Sequence, residues 1–111
     1  MATKRAVDPV VKRFLDMTLD TIKREFAPQH VIVIGSRAKG TAHVQSDIDL
    51  IVVSERFRDM RYPNRMGQFL IRVRPDVAVD AICYTPEEFE AVIRHQSPFV
   101  RDAMAHGIHV V

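Results

Sequence analysis

The sequence predicts a mixed α/β chain, a small mixed β-sheet packed by helices, forming one domain over residues 1–111. Three observations lead there. The runs HVIVIG, IDLIVV and VAVDAICY are short and rich in β-branched residues, as buried strands are. Around them, apolar residues recur at helical spacing behind capping residues and prolines. The resulting order is helix, strand, strand, helix, strand, helix, helix, which interleaves the two element types in one chain.

Each element has its own justification. Asp8-Pro9 is a helix start, a capping side chain followed by a proline suited to the first turn. Val11, Phe14, Leu15, Leu19, Ile22 and Phe26 then give one apolar face, and Pro28 lies beyond the end. HVIVIG reads as a buried strand closed by Gly35, and Ile48–Val53 as a second. From Ser54 to Tyr62 the pattern dissolves into charge. Pro63 opens a helix whose apolar face is Met66, Phe69, Leu70 and Val73, and Pro75 stops it. Val77–Tyr84 is a third strand with Asp80 inside it. Thr85-Pro86-Glu87-Glu88 carries a capping-box pattern and starts a helix running to about Arg94. Ser97-Pro98 begins a last helix that closes near His106-Gly107, and IHVV is a candidate terminal edge strand.

Composition excludes several classes. Hydrophobic residues make up 47% and charged residues 27%, a soluble balance. A net charge of +2 is too small to argue for nucleic-acid binding. Cys83 is the single cysteine, so no intramolecular disulfide can form and a reducing interior suits the chain. The apolar runs are far shorter than a membrane span. MATKRAVDPV has basic residues with no apolar core after them, unlike a secretory signal. The expectation is a cytoplasmic protein.

The stretch GSRAKGTAHVQSDIDL holds the unusual residues. Side chains alternate across a strand, so Asp47 and Asp49 share a side, with Cα atoms about 6.6 Å apart. Alone, Asp-x-Asp is more often a solvated strand start than a cation site. Asp80 joins the same cluster if the third strand lies beside the second. Neighbouring carboxylates repel unless protonated or neutralised. Hard oxygen ligands suit Mg2+, which also takes substrate phosphates. Two such ions about 3.5–4 Å apart would clamp the attacking and leaving oxygens of a phosphoryl-type displacement. Gly35-Ser36 follows a strand directly, where freed N–H groups and a hydroxyl can cradle phosphate. Arg37 and Lys39 add positive charge. A P-loop does not fit, because Thr41 rather than lysine follows Gly40.

Together, Gly35-Ser36, ten intervening residues and Asp47-Ile48-Asp49 resemble the minimal nucleotidyltransferase family, short relatives of the polymerase-β-like nucleotidyltransferases. The resemblance runs from the first helix to about Glu90. It implies the polymerase-β-like nucleotidyltransferase fold. By the same resemblance, Asp47 and Asp49 would bind the Mg2+ ions that carry ATP. Asp80 would hold a second ion and help deprotonate an acceptor hydroxyl. Gly35 and Ser36 would hold the β- and γ-phosphates. AMP would pass to a hydroxyl and pyrophosphate would leave. The 111 residues leave no room for a second, acceptor-binding domain. Minimal members of the family are often antitoxins paired with a helical HEPN-type toxin, one of whose tyrosines they adenylylate. Two alternatives stay open: an antitoxin that only occludes its partner, and a small-molecule nucleotidyltransferase working as a homo-oligomer, a dimer with the cleft between its subunits.

Other residues have more ordinary readings beside functional ones. Arg56, Arg58, Arg61 and Arg65 surround the middle loop, as a solvated loop, a lid over the triphosphate or a patch for an acidic partner. The five histidines lack zinc-ligand spacing, and His43 reads as a surface residue. Cys83 reads as core. Phe99 and Val100, if exposed, would mark an interface.

Overall fold

The computed structural model describes residues 8–111. The reading of the N-terminal stretch as lacking a signal sequence falls on residues that lie mostly outside these. Helix α1 (Pro9–Phe26) begins as its sequence dictates. The Asp8 carboxylate accepts from the N–H groups of Val10 at 2.8 Å and Val11 at 3.2 Å. Val11, Phe14, Ile22 and Phe26 lie on its buried face. It stops at Ala27, whose backbone turns left-handed and donates to Lys23 O.

Strand β1 (His30–Ile34) leads through Gly35 into a single helical turn, α2 (Ser36–Lys39). After a loop comes β2 (Ile48–Val53), then a 3-10 turn at Glu55–Phe57 and helix α3 (Tyr62–Val73). Strand β3 (Val79–Tyr84), helices α4 (Pro86–His95) and α5 (Pro98–His106), and the two-residue strand β4 (Ile108–His109) complete the chain. The sheet order is β3-β2-β1-β4. β1 is antiparallel to both β2 and β4, whereas β2 and β3 are parallel. A parallel pair needs a crossover, and α3 supplies it. The mixed sheet packed by helices is the predicted fold class.

Alternation along the strands sorts the core into two clusters. Val31, Val33, Ile48, Leu50, Val52, Ala81 and Cys83 face α1 and α3, with Phe26, Phe57 and Phe69 filling the space between. The Phe26 ring lies 5.2 Å from Phe57 and 5.3 Å from Phe69, centroid to centroid. Ile32, Ile34, Ile51 and Val53 face the other way, toward Ala103 and Met104 of α5 and Phe89 of α4.

Four sequence expectations need correction. The third strand starts at Val79 rather than Val77, because pairing begins where β2 begins, Ile48 opposite Val79. The glycine-serine turn contains the helical turn α2, ended by Gly40 in a left-handed conformation. The middle segment is pinned down rather than loose. Phe57 is fully buried. Arg56 donates to the carbonyls of Arg24 and Glu25 at the end of α1. Arg58 pairs with Glu55 and Glu87. Arg65 is buried, donating to Met60 O, Cys83 O and the Glu88 carboxylate. Lastly, Val100 is core, whereas Phe99 is exposed. Among the described residues no helix is long and apolar enough to cross a membrane.

Candidate active site

The site grows from the end of β1. Gly35 has φ of 74°, a left-handed conformation that side chains disfavour. A Cβ at this position would sit 2.5 Å from Asp49 Oδ2. Glycine is therefore required twice, by its backbone and by the close approach of the Asp49 carboxylate. Ile34 and Asp49 are register partners across β1 and β2, which brings that carboxylate to the turn.

The parallel register of β2 and β3 places Asp49 opposite Asp80. Both belong to the sheet face that carries Ile51 and Ile82. Burial, then the Asp80 charge, then the Asp47 charge push the Asp49 carboxyl above its ordinary value. Asp47, one residue before β2, is exposed, as is Asp80. None of the three forms an ion pair with a described residue. They form an uncompensated cluster of hard oxygen donors, the donor chemistry that suits Mg2+. It is not a ready-made cage. Among the described residues no three His, Cys, Asp or Glu side chains already converge to hold a metal ion. Asp49 and Asp80 lie side by side, and Asp47 stands at the rim.

A cleft of about 350 Å³ lies over this pair. Its lining includes Ile34, Gly35, Asp49, Asp80, Phe99 and Asp102, so it runs between the sheet and α5. Ser36 is half-buried beside it, directly after Gly35.

The two basic residues of the turn behave differently. Arg37 is not available as a phosphate ligand, which corrects the sequence reading. Its guanidinium is buried and donates to the Asp8 carboxylate and to the carbonyls of His43, Val44 and Ser46. All of its N–H groups are thereby engaged in tying the loop before Asp47 to the start of α1. Burial alone would raise the Asp8 carboxyl, but hydrogen bonds from Arg37, Val11 and Val10 hold it below its ordinary value. Lys39 is exposed, with Nζ 2.8 Å from Asp102 Oδ2 on α5.

His43 is exposed, as expected. Cys83 is buried, and burial pushes its thiol up to about 12 against a smaller opposing effect of Arg65. That makes it an inert core residue. Sequence reasoning missed Asp102. The available signal was its spacing on the last helix, three residues after Phe99, which puts both on one helical face.

A search of curated proteins finds no match. A crystal structure of a candidate nucleotidyltransferase from Sulfolobus solfataricus superimposes with a TM-score of 0.57 at 24% identity, covering 82% of this chain and 84% of that one. That likeness is one of fold. The family model of the nucleotidyltransferase domain matches residues 15–108, which takes in the glycine-serine turn, all three aspartates and α5. The chain belongs to the nucleotidyltransferase domain family.

Proposed function

We propose that this nucleotidyltransferase passes AMP from Mg2+-bound ATP to a hydroxyl on a partner protein. The observation that carries this reading is the Asp49–Asp80 register beside Gly35, at the floor of the cleft. Asp47, Asp49 and Asp80 would hold Mg2+. Bound there, the ions would supply charge neutralisation at the phosphates. Ser36 would donate to a phosphate oxygen, and Lys39 would offer its ammonium to the terminal phosphates. Gly35, lacking a side chain, would leave the floor open to the nucleotide. Asp80, exposed in the cleft, would take the proton of the acceptor hydroxyl. The acceptor oxygen then bonds to the α-phosphorus, the bond from that phosphorus to the bridging oxygen breaks, and pyrophosphate leaves.

The acceptor is the finer part of the proposal. The resemblance to minimal nucleotidyltransferases supports a tyrosine on a helical HEPN-type toxin, which would make this chain its antitoxin, working in the cytoplasm. Positioning such a hydroxyl in line with the leaving group would fall to the partner's own surface. Intact-mass spectrometry of a co-expressed helical partner tests the reading. The partner gains the mass of one or more AMP groups with the wild-type chain, and none with Asp80→Asn. A partner that is silenced and tightly bound yet unmodified would replace transfer by occlusion.

A further inference from the structure

Asp102 is a third carboxylate lining the cleft, beside Asp49 and Asp80, and it has a cationic partner. It lies on α5, three residues after Phe99, and both line the cleft. The Lys39 ammonium is 2.8 Å from its Oδ2. Lys39 ends α2, the turn that opens with Ser36 beside the cleft floor. One flexible four-carbon side chain therefore links the glycine-serine turn to the opposite wall. The pair is half-exposed, with 37% of the Lys39 side chain and 45% of the Asp102 side chain accessible, so it is weak enough to exchange. Asp102 has a further neighbour, His106, whose Nδ1 lies 3.3 Å from Oδ1. The carboxylate thus retains a polar contact when the ammonium leaves. A triphosphate carries more negative charge than one carboxylate and competes for the same ammonium.

We propose that Asp102 is a positioning residue that parks Lys39 against α5 in the nucleotide-free chain and releases it to the terminal phosphates of an arriving nucleotide. The proposal rests on the reading of the cleft as a nucleotide site. Breaking the ion pair then costs part of the affinity for a triphosphate, and none of the affinity for a ligand without terminal phosphates. α5 loses a tether to α2 as the nucleotide loads.

The test is calorimetric titration of a non-hydrolysable ATP analogue, and separately of AMP, each with Mg2+ at fixed ionic strength. The chains compared are wild type, Asp102→Asn, Asp102→Glu, Lys39→Gln and the Asp102→Asn/Lys39→Gln double variant. Asp102→Asn tightens analogue binding by about two- to fivefold, the scale of an exposed ion pair. It leaves AMP binding unchanged. Asp102→Glu keeps wild-type affinity, and the gain disappears when Lys39 is already glutamine. Unchanged or weaker analogue binding by Asp102→Asn overturns the proposal. So does an equal gain in the Lys39→Gln background, which would mark simple relief of negative charge. Binding by wild type with no response at Asp102 rejects the release alone. Absence of binding by every chain rejects the nucleotide cleft and the release together.

Discussion

The two faces of the sheet differ in how they are covered. Toward α1 and α3, fifteen buried residues among those described form one cluster. Toward α4 and α5 the buried cluster has five, and that thinner cover leaves the cleft. A single strand serves both. Ile48, Leu50 and Val52 of β2 enter the thick cluster, while Asp49, between them, turns to the thin side. Period-two alternation thus lets one strand anchor the fold and present a carboxylate. Stability is concentrated on one face and chemistry on the other.

The comparison breaks first if the thick face does not dominate stability. Phe26 is fully buried between Phe57 and Phe69. Phe26→Ala should cost about 3–5 kcal/mol, transfer and cavity terms together. Equilibrium denaturant unfolding measures it. A loss below about 1 kcal/mol would mean that the aromatic cluster is not the anchor of the fold.

Arg37 and Lys39 sharpen the contrast within one turn of helix. The Arg37 side chain is 6% exposed and its partner Asp8 16%, whereas Lys39 reaches across the cleft. Arg37→Met leaves Asp8 and three loop carbonyls without their donor. It should destabilise the chain by about 1–3 kcal/mol. Its effect on nucleotide binding should be the same for triphosphate and monophosphate, because it acts through the loop before Asp47. A selective loss of triphosphate affinity would return Arg37 to the phosphate site.

Asp49 should show the opposite sign. Its carboxyl is raised in the folded chain, so between its unfolded and folded values the native state binds more protons. Its contribution therefore improves stability as pH falls through the folded value, and that gain is absent at higher pH. Asp8 and Glu88 are lowered and act in reverse, losing stability as pH falls through their folded values. In metal-free buffer at neutral pH, Asp49→Asn should raise stability by about 0.5–2 kcal/mol, and with Mg2+ supplied it should remove transfer. Thermal melts of wild type and variant across acid to neutral pH check this. A lower melting temperature for the variant at neutral pH would show that the carboxylate is compensated by contacts other than those described.

Much of the fold was legible because its signals are local. The capping residues Asp8, Thr85 and Ser97 start their helices, and the β-branched runs become strands. The register of Asp49 against Asp80 was only conditional in the sequence, since nothing local fixes which strands are neighbours. The fates of the arginines were not legible. Arg56 and Arg65 find backbone carbonyls, and Arg37 the Asp8 carboxylate, on segments distant in sequence, and only the assembled fold brings those together. Asp102 was hidden for the same reason. A carboxylate on an amphipathic helix looks like a solvated one until the helix is seen to wall a cleft.

The smallest expected effect on stability is at Ser36. It is half-buried beside the cleft, and no hydrogen bond of its hydroxyl to a described residue accounts for its presence. Ser36→Ala removes little packing, so unfolding should shift within about 0.5 kcal/mol. If the hydroxyl donates to a phosphate, triphosphate affinity should fall by about 0.5–1.5 kcal/mol, and by up to about 3 if the acceptor is fully charged. The two readouts therefore separate at this residue, as they should for a group on the thin face, whereas at Phe26 they fall together. Calorimetric titration of a non-hydrolysable ATP analogue, paired with denaturant unfolding of the same preparation, measures both. Unchanged affinity would leave the phosphates to the backbone of the turn and to Lys39. A stability loss as large as that at Arg37 would place Ser36 with the structural half of the turn, and the boundary between the two regions would then fall after Ser36 rather than at Gly35.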